Sequence, residues 1–210
     1  MSLAIVYTRA ALGIEAPLIT VEVHLSNGLP GLTMVGLPET TVKEARDRVR
    51  SALINSGYAF PAKKITINLA PADLPKEGGR YDLPIALALL VASEQLNTTR
   101  LNQYEFVGEL ALTGGLRGVP GAIPSAMEAI KAGRRIVVSS DNAAEVGLIG
   151  GSDCLVADHL QEVCAFLAGQ TSLSPPLAEA PTVDERGEDL RDVIGDRKST
   201  RLNSSHLGIS

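Results

Sequence analysis

From Ile19 to Leu25 the chain alternates strictly: Ile19, Val21, Val23 and Leu25 are apolar, and Thr20, Glu22 and His24 between them are polar. A period of two is that of a strand with one buried and one wet face, so a strand is predicted over Leu18 to Leu25. A shorter run, Leu3 to Thr8, predicts another strand before it. Asn27-Gly28 and Pro30-Gly31 mark a turn, and Leu32 to Val35 a third strand. The period then changes. Val42, Ala45, Val49 and Leu53 recur at three-to-four spacing, which predicts a helix ended by Gly57. Thr41-x-x-Glu44 fits a capping box at its start, in which the hydroxyl satisfies an orphan amide and the carboxylate reaches back.

Ile65, Ile67 and Leu69 predict a strand leading into the loop Pro75-Lys76-Glu77-Gly78-Gly79-Arg80-Tyr81-Asp82. Asp82 is placed to cap the next helix, with Pro84 in the first turn, where a missing amide is harmless. That helix is apolar nearly all round from Ile85 to Leu96 and is expected to be buried. Downstream the pattern predicts a strand over Glu105 to Leu112, a tight turn at Thr113-Gly114-Gly115 and a return over Leu116 to Val119. A helix Ile123 to Ala132, strand Arg135 to Val138, short helix Asn142 to Leu148, strand Cys154 to Ala157 and helix Leu160 to Leu167 follow. Mixed strands and helices in this order indicate one α/β or α+β domain over residues 1–169. Residues 170–188 are rich in Pro, Ser and acidic side chains without period, the composition of a linker.

Composition narrows the functional classes. The 210 residues are 45% hydrophobic and only 3% aromatic, with no Trp, so the core is aliphatic and stacking platforms for single strands are scarce. A net charge of −5 argues against one basic surface for nucleic acid but leaves room for a local patch. The first helix carries Lys43, Arg46, Arg48 and Arg50 on its polar face, and Lys63 and Lys64 follow. A solvated face and a contact surface for DNA or a neighbouring subunit are both open readings. Glu44 and Arg48 stand one turn apart and are expected to pair.

Cys154 and Cys164 lie in apolar surroundings and read as buried, reduced thiols, which fits a cytoplasmic location. The N-terminus shows no signal peptide, and no run of about 20 apolar residues suggests a membrane span. His24, His159 and His206 have no ligands at metal spacing, so no metal site is expected. Nor does a G-x-x-x-x-G-K-S/T loop occur in the chain. Ser125 and Lys131 fall on different faces of one predicted helix, which disfavours a serine–lysine pair. Asp73, Glu77 and Asp82 are a candidate acid/base cluster, with a charge-compensated loop as the blander alternative.

Three phrases, GLPGLTMVGLPETTVKEARDRVRSAL, ITINLAPADLPKEGGRYDLPIALALL and VGELALTGGLRGVPGAI, resemble the N-terminal domain of the ComM/YifB family of Mg-chelatase-like AAA+ ATPases. The resemblance runs from Met1 to about Gly195. It implies a Lon-protease-like, ribosomal-protein-like α/β (α+β) domain with a mixed sheet and packed helices, followed in full-length members by an AAA+ motor. It also implies ATP and Mg2+ bound by that motor, a ring of identical subunits, hexameric in the family pattern, and DNA as partner in branch migration during natural transformation. Pro75-Lys76-Glu77-Gly78-Gly79 resembles the Lon-type loop that ends on the nucleophilic serine, but the serine's place is taken by Arg80. Aligning Val107-Gly108-Glu109-Leu110 to the following strand of the protease places Ile123 where its lysine stands. A guanidinium and an alkyl chain supply neither nucleophile nor base.

No catalytic, cofactor-binding or metal-binding residue is therefore expected in this chain. Arg46, Arg48, Arg50, Lys63, Lys64 and Arg80 are the candidate contacts to DNA or a subunit. Alternatives are a binding module that acts without an ATPase, and a residual hydrolase using Glu77 and Asp82. Residues 189–195 resemble the lead-in to the AAA+ module. Residues 196–210 break from the family, and their back-translation resembles a sequencing adapter, so they are read as an artefact.

Overall fold

The computed structural model describes residues 2–36, 38–149 and 151–176. In chain order the strands are β1 (Ser2–Arg9), β2 (Leu18–Ser26), β3 (Gly31–Val35), β4 (Lys64–Ala70), β5 (Tyr104–Phe106), β6 (Glu109–Leu110), β7 (Leu116–Arg117), β8 (Arg135–Ser139) and β9 (Cys154–Ala157). The helices are α1 (Thr40–Lys43), α2 (Ala45–Asn55), α3 (Asp82–Ala92), α4 (Ala122–Lys131), α5 (Ala143–Gly147) and α6 (Leu160–Leu167). The architecture is mixed α/β.

Seven strands form one sheet in the order β3-β4-β2-β1-β5-β8-β9, and β6 pairs with β7 apart from it. β1, β2 and β4 pair antiparallel; β3 lies parallel to β4, and β5, β8 and β9 continue from β1 in parallel. The period-two pattern sets the inward face. Ile19, Val21, Val23 and Leu25 of β2 and Ile65, Ile67 and Leu69 of β4 are all buried beneath α2 and α3. α3 packs against β1, β2 and α2, so its all-round apolar sequence matches an all-round buried position. Along β8 the side chains part: Val137 joins this core, while Ile136 and Val138 join a second one built with α4 and α5 on the opposite face. That second layer covers the β5–β8–β9 half. On β1 the outward Leu3 and Ile5 are exposed.

Several expected boundaries move, each for a local reason. The first helix begins at Thr40 with Glu39 at its N-cap and no side-chain cap, so Thr41 does not head a capping box. It is also broken at Glu44, which lies between α1 and α2. Asp82 does not cap α3: Tyr81 occupies that position, and the Asp82 carboxylate is turned into the interior. α3 stops at Ala92, and Glu94 has a positive φ of 63°. The strand expected over Glu105 to Leu112 divides at Gly108, whose amide donates to Arg80 O and whose carbonyl accepts from Leu83 N. Those two bonds draw the chain off the sheet towards the loop before α3.

The turn at Thr113 to Gly115 forms as expected, with Ala111 N donating to Gly115 O. Gly36 follows β3 with φ +99°, and a Cβ there would sit 2.1 Å from Leu69 O, so only glycine fits this close approach. Cys154 and Cys164 are both buried and free. After α6, residues 171–176 return to the sheet edge: Val156 N donates to Ser174 O, and Leu173 packs on the core. The remainder of the expected linker, the lead-in 189–195 and the tail 196–210 with His206 lie outside the described residues.

Candidate functional site

The loop after β4 folds into a short 3-10 turn, Gly79–Tyr81, that runs directly into α3. Three of its charged side chains, Lys76, Arg80 and Asp82, are buried. Arg80 is 3% exposed; Nη1 donates to Arg9 O at 3.3 Å and Nη2 to Pro120 O at 2.5 Å. Burial lowers its affinity for the proton. Lys76 is also buried, with Nζ donating to Pro71 O, and burial lowers its pKa while Asp73 opposes the change.

Asp82 is wholly buried. Arg48 Nε donates to its Oδ2 at 2.7 Å and Arg48 Nη2 to its Oδ1 at 3.1 Å, a two-pronged contact from α2 to α3. The Leu110 amide adds a third bond, 3.2 Å to Oδ2. Burial pushes the Asp82 carboxyl up to about 6, against the opposing pull of Arg48 and the Leu110 amide. The carboxylate is thus committed to joining two helices and a strand. Glu77 is exposed on the loop. Ser125 Oγ donates to Gly121 O, and Lys131 is paired with Glu128, so these two residues do not meet.

The expected contact residues separate into three groups. Arg46 and Arg50, one turn apart on α2, converge with Lys63 on a cleft of about 290 Å³. Its other walls include Gly31 and Leu32 of β3 and the segment Phe60 to Ala62, and among the described residues no carboxylate lines it. The Arg50 guanidinium lies over the ring of Phe60, another lining residue, 5.0 Å from its centroid, a contact that attracts the charge to the ring face. Lys64 is exposed beside the cleft as the first residue of β4.

Arg48 and Arg80 do not belong to this surface. Arg48 stands two positions from both Arg46 and Arg50, about 200° away around the helix axis, and points to Asp82; the expected pair with Glu44 is a longer 3.8 Å contact. Arg80 is buried, so the reading of it as a surface contact is corrected. Sequence reasoning missed Phe60, whose only signal was an aromatic residue in a chain with few of them.

Comparison with known proteins places these features in a family. Residues 21–142 match the family described as subunit ChlI of Mg-chelatase. YifB of Salmonella typhimurium is 73% identical over 201 residues, covering 96% of this chain and 40% of that protein. Competence protein ComM of Haemophilus influenzae is 54% identical over 206 residues, with the same coverage of 96% and 40%. A protein of Mycobacterium bovis is 36% identical over 196 residues. The chain spans about 40% of the length of the first two relatives. It belongs to the Mg-chelatase ChlI family and, within it, to the ComM/YifB group.

Proposed function

We propose that this chain is the non-catalytic N-terminal domain of a ComM/YifB-like ATP-driven motor, and that its basic cleft holds the sugar–phosphate backbone of DNA. The observation that carries the reading is the convergence of Arg46, Arg50 and Lys63 on a cleft that no carboxylate among the described residues lines, in a chain of net charge −5. Such local focusing of positive charge is what a polyanion requires. The name of one relative, competence protein ComM, is in keeping with a DNA partner.

The domain itself is Lon-protease-like in this reading, with the chemistry gone. Arg80 and Ile123 stand where a nucleophile and its lysine would, and Asp82 is tied to Arg48. In this reading ATP and Mg2+ are not held by this chain: its sequence has no phosphate-cradling loop with a lysine, and the described residues include no group of three His, Cys, Asp or Glu side chains placed to hold a metal ion. Both belong to an AAA+ module beyond it, in a cytoplasmic ring of identical subunits, hexameric in the family pattern, that couples ATP hydrolysis to branch migration. Among the described residues no helix is long and apolar enough to cross a membrane.

The test is fluorescence anisotropy of a labelled DNA with the wild-type chain and with Arg46→Ala/Arg50→Ala, between about 50 and 200 mM salt. Affinity should fall with salt, and the double variant should reduce the log–log slope by about 1.5–2. Equal binding by both proteins would remove the cleft from DNA recognition. Loss of self-association in the variant, with DNA binding unchanged, would assign the cleft to a subunit contact.

A further inference from the structure

Arg80 differs from the other arginines that leave the surface. Arg9 and Arg134 share Glu105, and Arg48 has Asp82. Arg80 has no carboxylate within ion-pair distance among the described residues; its partners are the two carbonyls of Arg9 and Pro120. A guanidinium has five N–H donors. A buried cation satisfied by two neutral acceptors is unfavourable unless another charge arrives.

Arg80 is one of the residues that line a second cavity, also about 290 Å³, at the small end of the range for ligand pockets. Leu12, Gly78, Gly79 and Pro120 line it, together with Glu77 and Glu109. The turn is kept bare. Gly78 has φ +73°, and a Cβ on Gly79 would fall 2.3 Å from Glu109 Oε2, so the carboxylate lies directly against glycine backbone. Among the described residues Glu109 has one ion-pair partner, the exposed Arg117 at 3.4 Å, a contact that solvent weakens.

The charges select the ligand. A polyphosphate would meet two carboxylates for one guanidinium. A simple cation would leave Arg80 without its counter-charge. From this arrangement we infer that the cavity binds a small zwitterion, of amino-acid to dipeptide size, with its carboxylate on Arg80 and its ammonium group towards Glu109 and Glu77. The site is separate from the basic cleft, and neither depends on the other.

The experiment is a 1H–15N NMR titration of the full 210-residue chain, read at the amides of Gly78, Gly79 and Gly118, with L-alanyl-L-alanine as probe. N-acetyl-L-alanyl-L-alanine lacks the ammonium group, L-alanyl-L-alaninamide lacks the carboxylate, and inorganic phosphate tests for an anion alone. The dipeptide should shift these amides at millimolar concentration, and each blocked analogue should bind about tenfold more weakly through loss of one charged contact. Glu109→Gln, at a partly exposed site where the fold should tolerate it, should weaken the dipeptide and leave the acetylated analogue unchanged. Arg80→Lys should weaken every carboxylate probe; should it fail to fold, the Glu109→Gln comparison stands alone. Absence of dipeptide shifts, a blocked analogue that binds as tightly as the dipeptide, or stronger binding of phosphate would each overturn the proposal.

Discussion

Arg48 on α2 grips Asp82 at the start of α3 through two hydrogen bonds of 2.7 and 3.1 Å, with the carboxylate fully buried and the arginine partly open to solvent. Removing the arginine leaves an uncompensated buried carboxylate, so Arg48→Met should destabilise the domain by about 3 kcal/mol at neutral pH. The pH dependence has a definite sign. Asp82 takes up its proton at a pKa of about 6 in the folded chain against an ordinary 3.8, so its contribution is greatest below about pH 4 and is lost as pH rises through 6. Arg48 lowers that folded value, and its removal must raise it further. Urea unfolding at pH 5 and pH 8 should therefore show the variant's deficit shrinking in acid; a deficit that grows there contradicts the assignment.

The same contact bears on catalysis. A general base must be free to take a proton from a substrate, and Asp82 faces an arginine and a backbone amide instead. Fluorogenic peptide and ester substrates should give no turnover above the buffer rate with the wild-type chain. Turnover that disappears in Asp82→Ala would restore the hydrolase reading.

Much of the fold was legible because period and burial coincide. The alternation along Ile19 to Leu25 and the all-round apolar run of α3 each map onto their observed environment. The site was less legible, because proximity in sequence does not set direction in space. Arg46, Arg48 and Arg50 read as one basic face, yet helical phase sends the middle one inward. Arg80 and Asp82 read as loop charges, yet the turn into α3 buries both. Tertiary partners from β1, α2 and the segment before α4 decide those positions, and no local pattern announces them.

The cysteines offer a check on the packing of both cores. Burial pushes the Cys164 thiol up to about 11 and raises Cys154 as well. At pH 8 neither should react with a disulfide reagent within minutes in the folded chain, and both should react at once in denaturant. Rapid labelling of one thiol in native buffer would show that its core is open.

The outer edge of β9 is covered by residues 171–176, through the bond from Val156 N to Ser174 O and the packing of Leu173. An uncovered edge strand presents unpaired backbone groups to other chains. A chain ending at Gly169 keeps β1 to β9 and α6 but loses this cover. It should retain its far-ultraviolet circular dichroism and unfold at lower denaturant, with a loss of about 1–2 kcal/mol from the missing hydrogen bond and the half-buried leucine. Light scattering should show association that rises with concentration. Leu173→Ala in the full chain should reproduce the stability loss in part while keeping the backbone pairing, and hence the monodispersity. If the truncated chain remains as stable and as monodisperse as the parent, the segment is an incidental neighbour of β9 rather than part of the domain.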